Sequence, residues 1–285
     1  MTRKAGGSIS VVVMLALVVL AGRESASSGQ ESEALSVEDI VERTNQTAYY
    51  QGQDGRARVS MTITDEQGRT RQRVFTILRF DEPRPEEKNG DKADGYCGDQ
   101  KFYVYFHLPA DVNKMVFMVW KHLEKDDDRW LYLPGLDLVK RIAAADKRTS
   151  FVGSHFFYED VSGRNIAADV HELTKTTDNF YVLKNTPKKP EEVEFKYYIM
   201  WVHRKTFIPI KIEYFDAKDK IYRIYEALDV QTIQGYPTVI KAKMSDLNTK
   251  AYTEITYSGV KYDIGVPEDI FSERYLRRVP QEYLR

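Results

Sequence analysis

Cysteine is almost absent from this chain. Cys97 stands alone among 285 residues, which excludes an internal disulfide and leaves stability to packing. It sits in the loop-like stretch Asp94-Gly95-Tyr96-Cys97-Gly98-Asp99, where it is either an incidental thiol or a redox-active one. Charge of one sign is lacking too: 42 Lys and Arg nearly balance 43 Asp and Glu, so no net field argues for nucleic acid. Catalytic and metal-binding spacings are missing. The five histidines (His107, His122, His155, His171, His203) fall on different strands and loops, with no HExxH or paired CxxC, so no metal or cofactor is expected. Gly153-Ser154-His155-Phe156 lacks the second glycine of a nucleophile elbow, and Asp126-Asp127-Asp128 lacks the alternate spacing of a calcium loop and reads as a solvated turn. The sequon at Asn45 falls inside a predicted helix and is discounted.

Long apolar runs are also scarce. The one from Ile9 to Ala21 follows Arg3 and Lys4 and precedes small residues from Ser25 to Gly29, the pattern of a removable export signal over residues 1–28. It is shorter than the roughly 20 residues a spanning helix needs. Arg23 stands where a lipoprotein signal would carry its lipid-bearing cysteine, so no lipid anchor is expected there. The expected product is a periplasmic protein, soluble after signal removal, with residues 29–285 as one domain.

What is abundant is strand pattern. The 19 Tyr and 13 Phe suit pleated surfaces. A helix opens the domain, with Ser36 as cap, Asp39 at the capping-box position, Leu35 stapling onto Ile40 and an end near Tyr50. Val59, Met61 and Ile63 alternate with Ser60, Thr62 and Thr64 as a half-buried strand. The pattern halts from Asp81 to Gln100, a solvated insertion, and resumes in strands apolar on both faces: Phe102 to Leu108, Met115 to Trp120 and Trp130 to Leu133. Both faces must therefore be covered. Residues 134–163 are the expected cover, as short helices, with Ser154 capping one through Phe156, Phe157 and Tyr158. Further antiparallel strands follow to Tyr257. About eleven strands with little helix predict a mainly β (α+β) fold, a strongly curved antiparallel sheet.

Two constellations remain. Met118, Trp120, Trp130, Tyr132, Phe151, Phe156, Phe157 and Trp201 make either an apolar ligand pocket or a plain core. Lys140, Arg141, Lys147 and Arg148 make either a contact for anionic headgroups or an acidic partner, or a solvated face. His155 and Glu159, four apart on a short predicted helix, share one face.

Trp130-Leu131-Tyr132-Leu133-Pro134, Lys140-Arg141-Ile142, Ser150-Phe151-Val152-Gly153-Ser154 and Tyr158-Glu159-Asp160 occur in order. With Leu108-Pro109-Ala110-Asp111 and Phe271-Ser272-Glu273-Arg274-Tyr275-Leu276, they resemble the outer-membrane lipoprotein-sorting proteins of the LolA-like superfamily. The closer resemblance is to the branch found with RND-type exporters, and it covers about Val37 to Arg277. It implies an eleven-stranded half-open antiparallel barrel, with helices on its concave face over a cavity for acyl chains. The implied function is non-enzymatic: binding the acyl chains of lipids or lipoproteins and passing them between envelope components, with an RND-type inner-membrane exporter and an outer-membrane acceptor as partners. A different class, an accessory or ligand-sensing subunit that docks the exporter and carries nothing, stays open. So does an enzyme using His155 and Glu159.

Overall fold

The computed structural model describes residues 34–82 and 98–285. The expected signal segment 1–28, Arg23 and Cys97 lie outside the described residues, as does most of the 81–100 insertion. The base of that insertion is described: Glu82 N–H donates to Asp99 O at 2.8 Å, closing a long hairpin loop.

Helix α1 (Val37–Tyr49) begins as its sequence predicts. Asp39 N–H donates to Ser36 Oγ at 3.0 Å and Ser36 N–H donates to Asp39 Oδ2 at 3.2 Å, a reciprocal capping box. Its buried stripe, Ile40, Val41, Thr44 and Asn45, follows the 3.6-residue period. Ile40 and Val41 pack on Leu183 and Val202, and Leu35 joins the same cluster.

The rest of the domain is one open antiparallel sheet of thirteen strands. They are β1 (Asp54–Thr64), β2 (Thr70–Asp81), β3 (Gln100–Leu108), β4 (Val116–Lys121), β5 (Asp128–Leu133), β6 (Leu138–Arg141), β7 (Asp169–Thr176), β8 (Phe180–Pro187), β9 (Tyr197–His203), β10 (Pro209–Phe215), β11 (Ile221–Ile233), β12 (Tyr236–Asp246) and β13 (Ala251–Tyr262). Their order is β6-β5-β4-β3-β2-β1-β13-β12-β11-β10-β9-β8-β7, so two meanders meet where β1 pairs with β13. Thirteen strands replace the expected eleven, in part because Leu138–Arg141 pairs with β5 instead of joining the cover. Leu138-Val139-Lys140-Arg141 does not alternate, so its sequence carries no strand signal.

The two-faced strands are covered on both sides, as expected. On one face Val104, Phe106, Phe117 and Val119 meet Phe151 and Phe156 of the cover segment. On the other, Tyr103, Tyr105, Val116, Met118 and Trp130 meet Val266, Ile270, Phe271, Leu276 and Leu284. This C-terminal stretch holds α3 (Glu273–Arg277) and lies across the sheet as a clasp. Trp120 Nε1–H donates to Phe271 O at 2.6 Å and Tyr103 OH to Tyr275 O at 2.8 Å, which fixes its position.

The cover itself is less helical than its sequence predicts. After β6 come a single 3-10 stretch (Ala144–Arg148), an irregular turn and α2 (Tyr158–Ser162). Ser154 does not cap α2; its Oγ accepts from Phe156 N–H at 3.1 Å, while Asp160 Oδ2 accepts from Phe157 N–H at 2.6 Å. Gly163 ends the helix at φ +77° with no room for a side chain, since a Cβ there would lie 2.5 Å from the Tyr49 ring.

Candidate functional site: a covered apolar cavity

Between the covered face of the sheet, the C-terminal turns of α1 and the cover lies a cavity of ≈ 310 Å³. Its sheet wall is built by strand parity. Ala57, Val59 and Met61 of β1, Phe75 and Ile77 of β2 and Ile255 and Tyr257 of β13 all project to the same side. Phe151, Phe156 and Val161 form the roof and Ala48 and Tyr49 the side. Volume and lining match the largely apolar, preformed sites of about 300–1,000 Å³ that take small ligands.

Of the eight aromatic and Met residues singled out from sequence, Phe151 and Phe156 line this cavity. Met118, Trp120, Trp130 and Tyr132 do not. They belong to the opposite face, under the clasp, where Trp120 and Trp130 stack edge to face at 4.9 Å. Alternation showed that β4 and β5 are apolar twice over, but not which face meets which cover. Phe157 lies beneath guanidinium groups, with Arg223 Cζ 4.1 Å and Arg148 Cζ 4.8 Å from its centroid. Trp201 on β9 packs edge-on to Phe180 at 6.4 Å, away from the cavity lining. Met61, Phe75, Ile255 and Tyr49 went unremarked as lining residues, although the alternation of β1 and β13 was the signal that would have found Met61 and Ile255.

The four basic residues separate likewise. Lys140 and Arg141 are exposed on the edge strand β6, with Arg141 paired to Asp128 and 5.0 Å from the Trp130 centroid. Lys147 pairs with Glu192 at 3.1 Å. Arg148 is no surface cation: its side chain is 8% exposed and sits within a network of ionised groups. It donates from Nη1 to Glu159 Oε2 at 3.0 Å, and from Nη2 and Nε to the two oxygens of Glu194 at 2.5 and 3.0 Å. Arg164 grips Asp169 through two nitrogens and reaches Glu159 at 3.3 Å. Arg223 donates to Asp160 and, at 2.9 Å, to His155 O. Burial opposes ionisation of Glu194, but the bonded Arg148 holds its carboxyl below the usual range. The network joins the cover to β7, to Glu194 just ahead of β9, and to β11, so the roof is pinned to the sheet.

His155 and Glu159 do not form a pair. His155 Nδ1 lies 2.9 Å from Thr253 Oγ1, ahead of α2, whereas Glu159 is buried between two arginines. Among the described residues, no group of three or more His, Cys, Asp or Glu is placed to hold a metal ion. Asp127 is not a solvated turn residue but pairs with buried Arg129 at 2.5 Å. No helix of the described residues is long and apolar enough to cross a membrane.

The end of the cavity near α1 is polar. Arg79 donates to the carbonyls of Tyr49, Gln51 and, at 2.6 Å, Gly52, tying the helix C-terminus to β2. Behind it, Gln100 Nε2 donates to Asp81 Oδ1 at 2.8 Å, and Lys121 Nζ donates to Ser162 O at 2.8 Å. Burial raises Asp81 to about 7, against the opposing pull of Arg79, and lowers Lys121 to about 8. The folded protein therefore keeps a proton on Asp81 that the unfolded chain releases near pH ~3.9, and Asp81 costs stability as pH rises through that window. Lys121 acts in the opposite sense above about pH 8: the unfolded chain keeps a proton that the folded protein releases. Urea unfolding from about pH 5 to about pH 7 is expected to show Asp81→Asn gaining stability on the wild type as pH rises. A pH-independent difference would rule this out.

A DUF1329-family protein from Desulfovibrio piger superposes with a TM-score of 0.73 at 27% identity, covering 85% of this chain and 97% of that one. An outer membrane lipoprotein-sorting protein domain from Vibrio parahaemolyticus gives 0.71 at 23%, covering 84% and 97%. A LolA-superfamily protein from Nitrosomonas europaea gives 0.62 at 17%, covering 85% and 100%. No curated protein matches the chain. The family model described as "Uncharacterized protein"-like matches residues 98–278, more than half of the length. The chain belongs to that family, and its open antiparallel sheet shares the LolA-like fold of these solved structures.

Proposed function

We propose that the protein is a periplasmic carrier for the acyl chains of lipids or lipidated proteins, acting after removal of residues 1–28 as a single domain over residues 29–285. The observation that supports this is the ≈ 310 Å³ cavity, apolar along the sheet and roof. Each methylene moved from water to such a site contributes about 0.8 kcal/mol, so a ten-carbon chain gains about 8 kcal/mol of shelter. Release then requires an acceptor with higher affinity for the chain, since a carrier shifts its cargo only by differential affinity. An RND-type exporter and an outer-membrane acceptor fit these two roles.

Native mass spectrometry with lipid extraction, on protein purified from its own periplasm, tests the reading. A stoichiometric acyl lipid or acylated peptide is the expected result. An apo mass that does not shift on adding lipid would transfer the proposal to a docking subunit that carries nothing. Ala57, small and on the cavity wall, offers a second check. Ala57→Trp is expected to fill the cavity and weaken acyl binding on the order of tenfold or more while the protein stays folded.

A further inference from the structure

A second, smaller cavity of ≈ 100 Å³ lies beneath α1, against β7 to β10. It shares Ala48, Tyr49, Asp160, Pro209, Ile212 and Tyr214 with the larger one, so the two adjoin. Their linings differ in kind. The small cavity is walled by Asn45, Arg148, Arg164, His171, Asn185 and Tyr198 among others. Nearly all of these polar groups are committed within the protein. Arg148 and Arg164 bind carboxylates, His171 Nδ1 lies 2.6 Å from Asn185 Oδ1, and Tyr198 OH donates to Asp169 Oδ2 at 2.9 Å. Thr44, beside them on α1, donates to Ile40 O at 2.7 Å.

Asn45 is the exception. It is 5% exposed, and its Nδ2 is the one buried side-chain atom of this wall without a hydrogen-bond partner among the described residues. A buried amide left unpaired is costly, and native proteins rarely tolerate one without a ligand or an ordered water to meet it. It also occupies the buried stripe of an amphipathic helix, where an apolar residue would pack without that cost.

We infer that this small cavity is a subsite for an uncharged carbonyl, the ester or amide at the head of an acyl chain whose hydrocarbon lies in the larger cavity, and that Asn45 donates to it. The inference rests on the carrier reading and names the polar part of its cargo. Charge selects against a free carboxylate. The surrounding network holds Arg148, Arg164 and Arg223 against Glu159, Asp160, Asp169 and Glu194, so an added anion meets a surplus of its own sign. A cation finds little open: both oxygens of Glu159 and Oδ2 of Asp160 already receive hydrogen bonds from arginines and backbone, and Asp160 Oδ1 faces Arg148 Nη1 at 3.8 Å. An uncharged acceptor satisfies Asn45 without disturbing either.

Displacement of an anilinonaphthalene sulfonate dye by methyl decanoate, N-methyldecanamide and tridecane tests this on the intact mature protein. The wild type and the Asn45→Leu and Asn45→Ala variants are titrated alike, with circular dichroism confirming that each is folded. Both substitutions are expected to weaken the ester, the amide or both on the order of tenfold while leaving tridecane within about twofold. Which of the two carbonyl probes responds separates a lipid ester from an acylated amine. Equal changes for all three probes, or no change for any, would overturn the subsite and leave a water-filled cavity only. Failure of every probe to displace dye from the wild type would overturn the carrier reading as well, a distinguishable result.

Discussion

Arg148→Met is expected to remove about 3–5 kcal/mol of stability, because it strips a buried cation from carboxylates that remain buried. Glu194 would lose both of its hydrogen bonds from Arg148 and Glu159 one of its two arginines. The guanidinium also packs 5.2 Å from the Phe195 centroid, so the methionine restores only part of the lost contact. For a domain of this size the loss corresponds to a fall in Tm on the order of ten degrees. The damage should be local first. Hydrogen exchange is expected to quicken over residues 144–162 before the strands yield, since the network is what ties the roof to β7, to Glu194 just ahead of β9, and to β11. A loss below about 1 kcal/mol, with roof exchange unchanged, would mean the ion pairs merely offset their own desolvation.

Phe271→Ala is expected to cost a similar about 3–5 kcal/mol by a different route, the opening of a cavity in the packed clasp. Phe271 is 1% exposed, 6.0 Å from the Phe80 ring, and its backbone carbonyl anchors Trp120. Loosening the clasp should let water reach Trp120 and Trp130, so their fluorescence should shift to the red. The larger cavity lies on the other face of the sheet, and its ligand affinity should stay within about twofold of wild type. A variant that loses ligand binding in proportion to its stability would show the two faces to be coupled, contrary to this expectation.

How legible these features were depends on the range of the interaction that makes them. The α1 cap was readable because Ser36 and Asp39 are three residues apart and satisfy each other. The strands were readable wherever an alternation ran, and β6 was missed because Leu138-Val139-Lys140-Arg141 does not alternate. The cavity was half readable. Parity put Val59, Met61 and Ile63 on one side, but Phe151, Phe156, Met118 and Trp130 were grouped together, and the last two lie on the opposite face. Nothing local distinguishes the two apolar faces of β4 and β5; that choice is made by the clasp, more than a hundred positions downstream. Arg148 read as part of a basic surface run because its partner Glu194 is 46 positions away. Asn45 was seen only as a discounted sequon. Its place between Val41 and Ala48, on the helical stripe that turns inward, was the available sign of burial.

The order of the strands has a consequence for how the molecule comes into being. Every ladder but one joins strands consecutive in the chain, so β1 to β6 and β7 to β13 can each form hairpin by hairpin. The exception, β1 with β13, brings Val59 opposite Tyr257 and closes the sheet wall on which the cavity depends. Such a distant pairing pays its loop-closure entropy late. A chain halted before β13 would thus hold two sets of paired strands but only part of the cavity wall. The cavity would therefore be completed in one step, when the last strand of the chain pairs with the first.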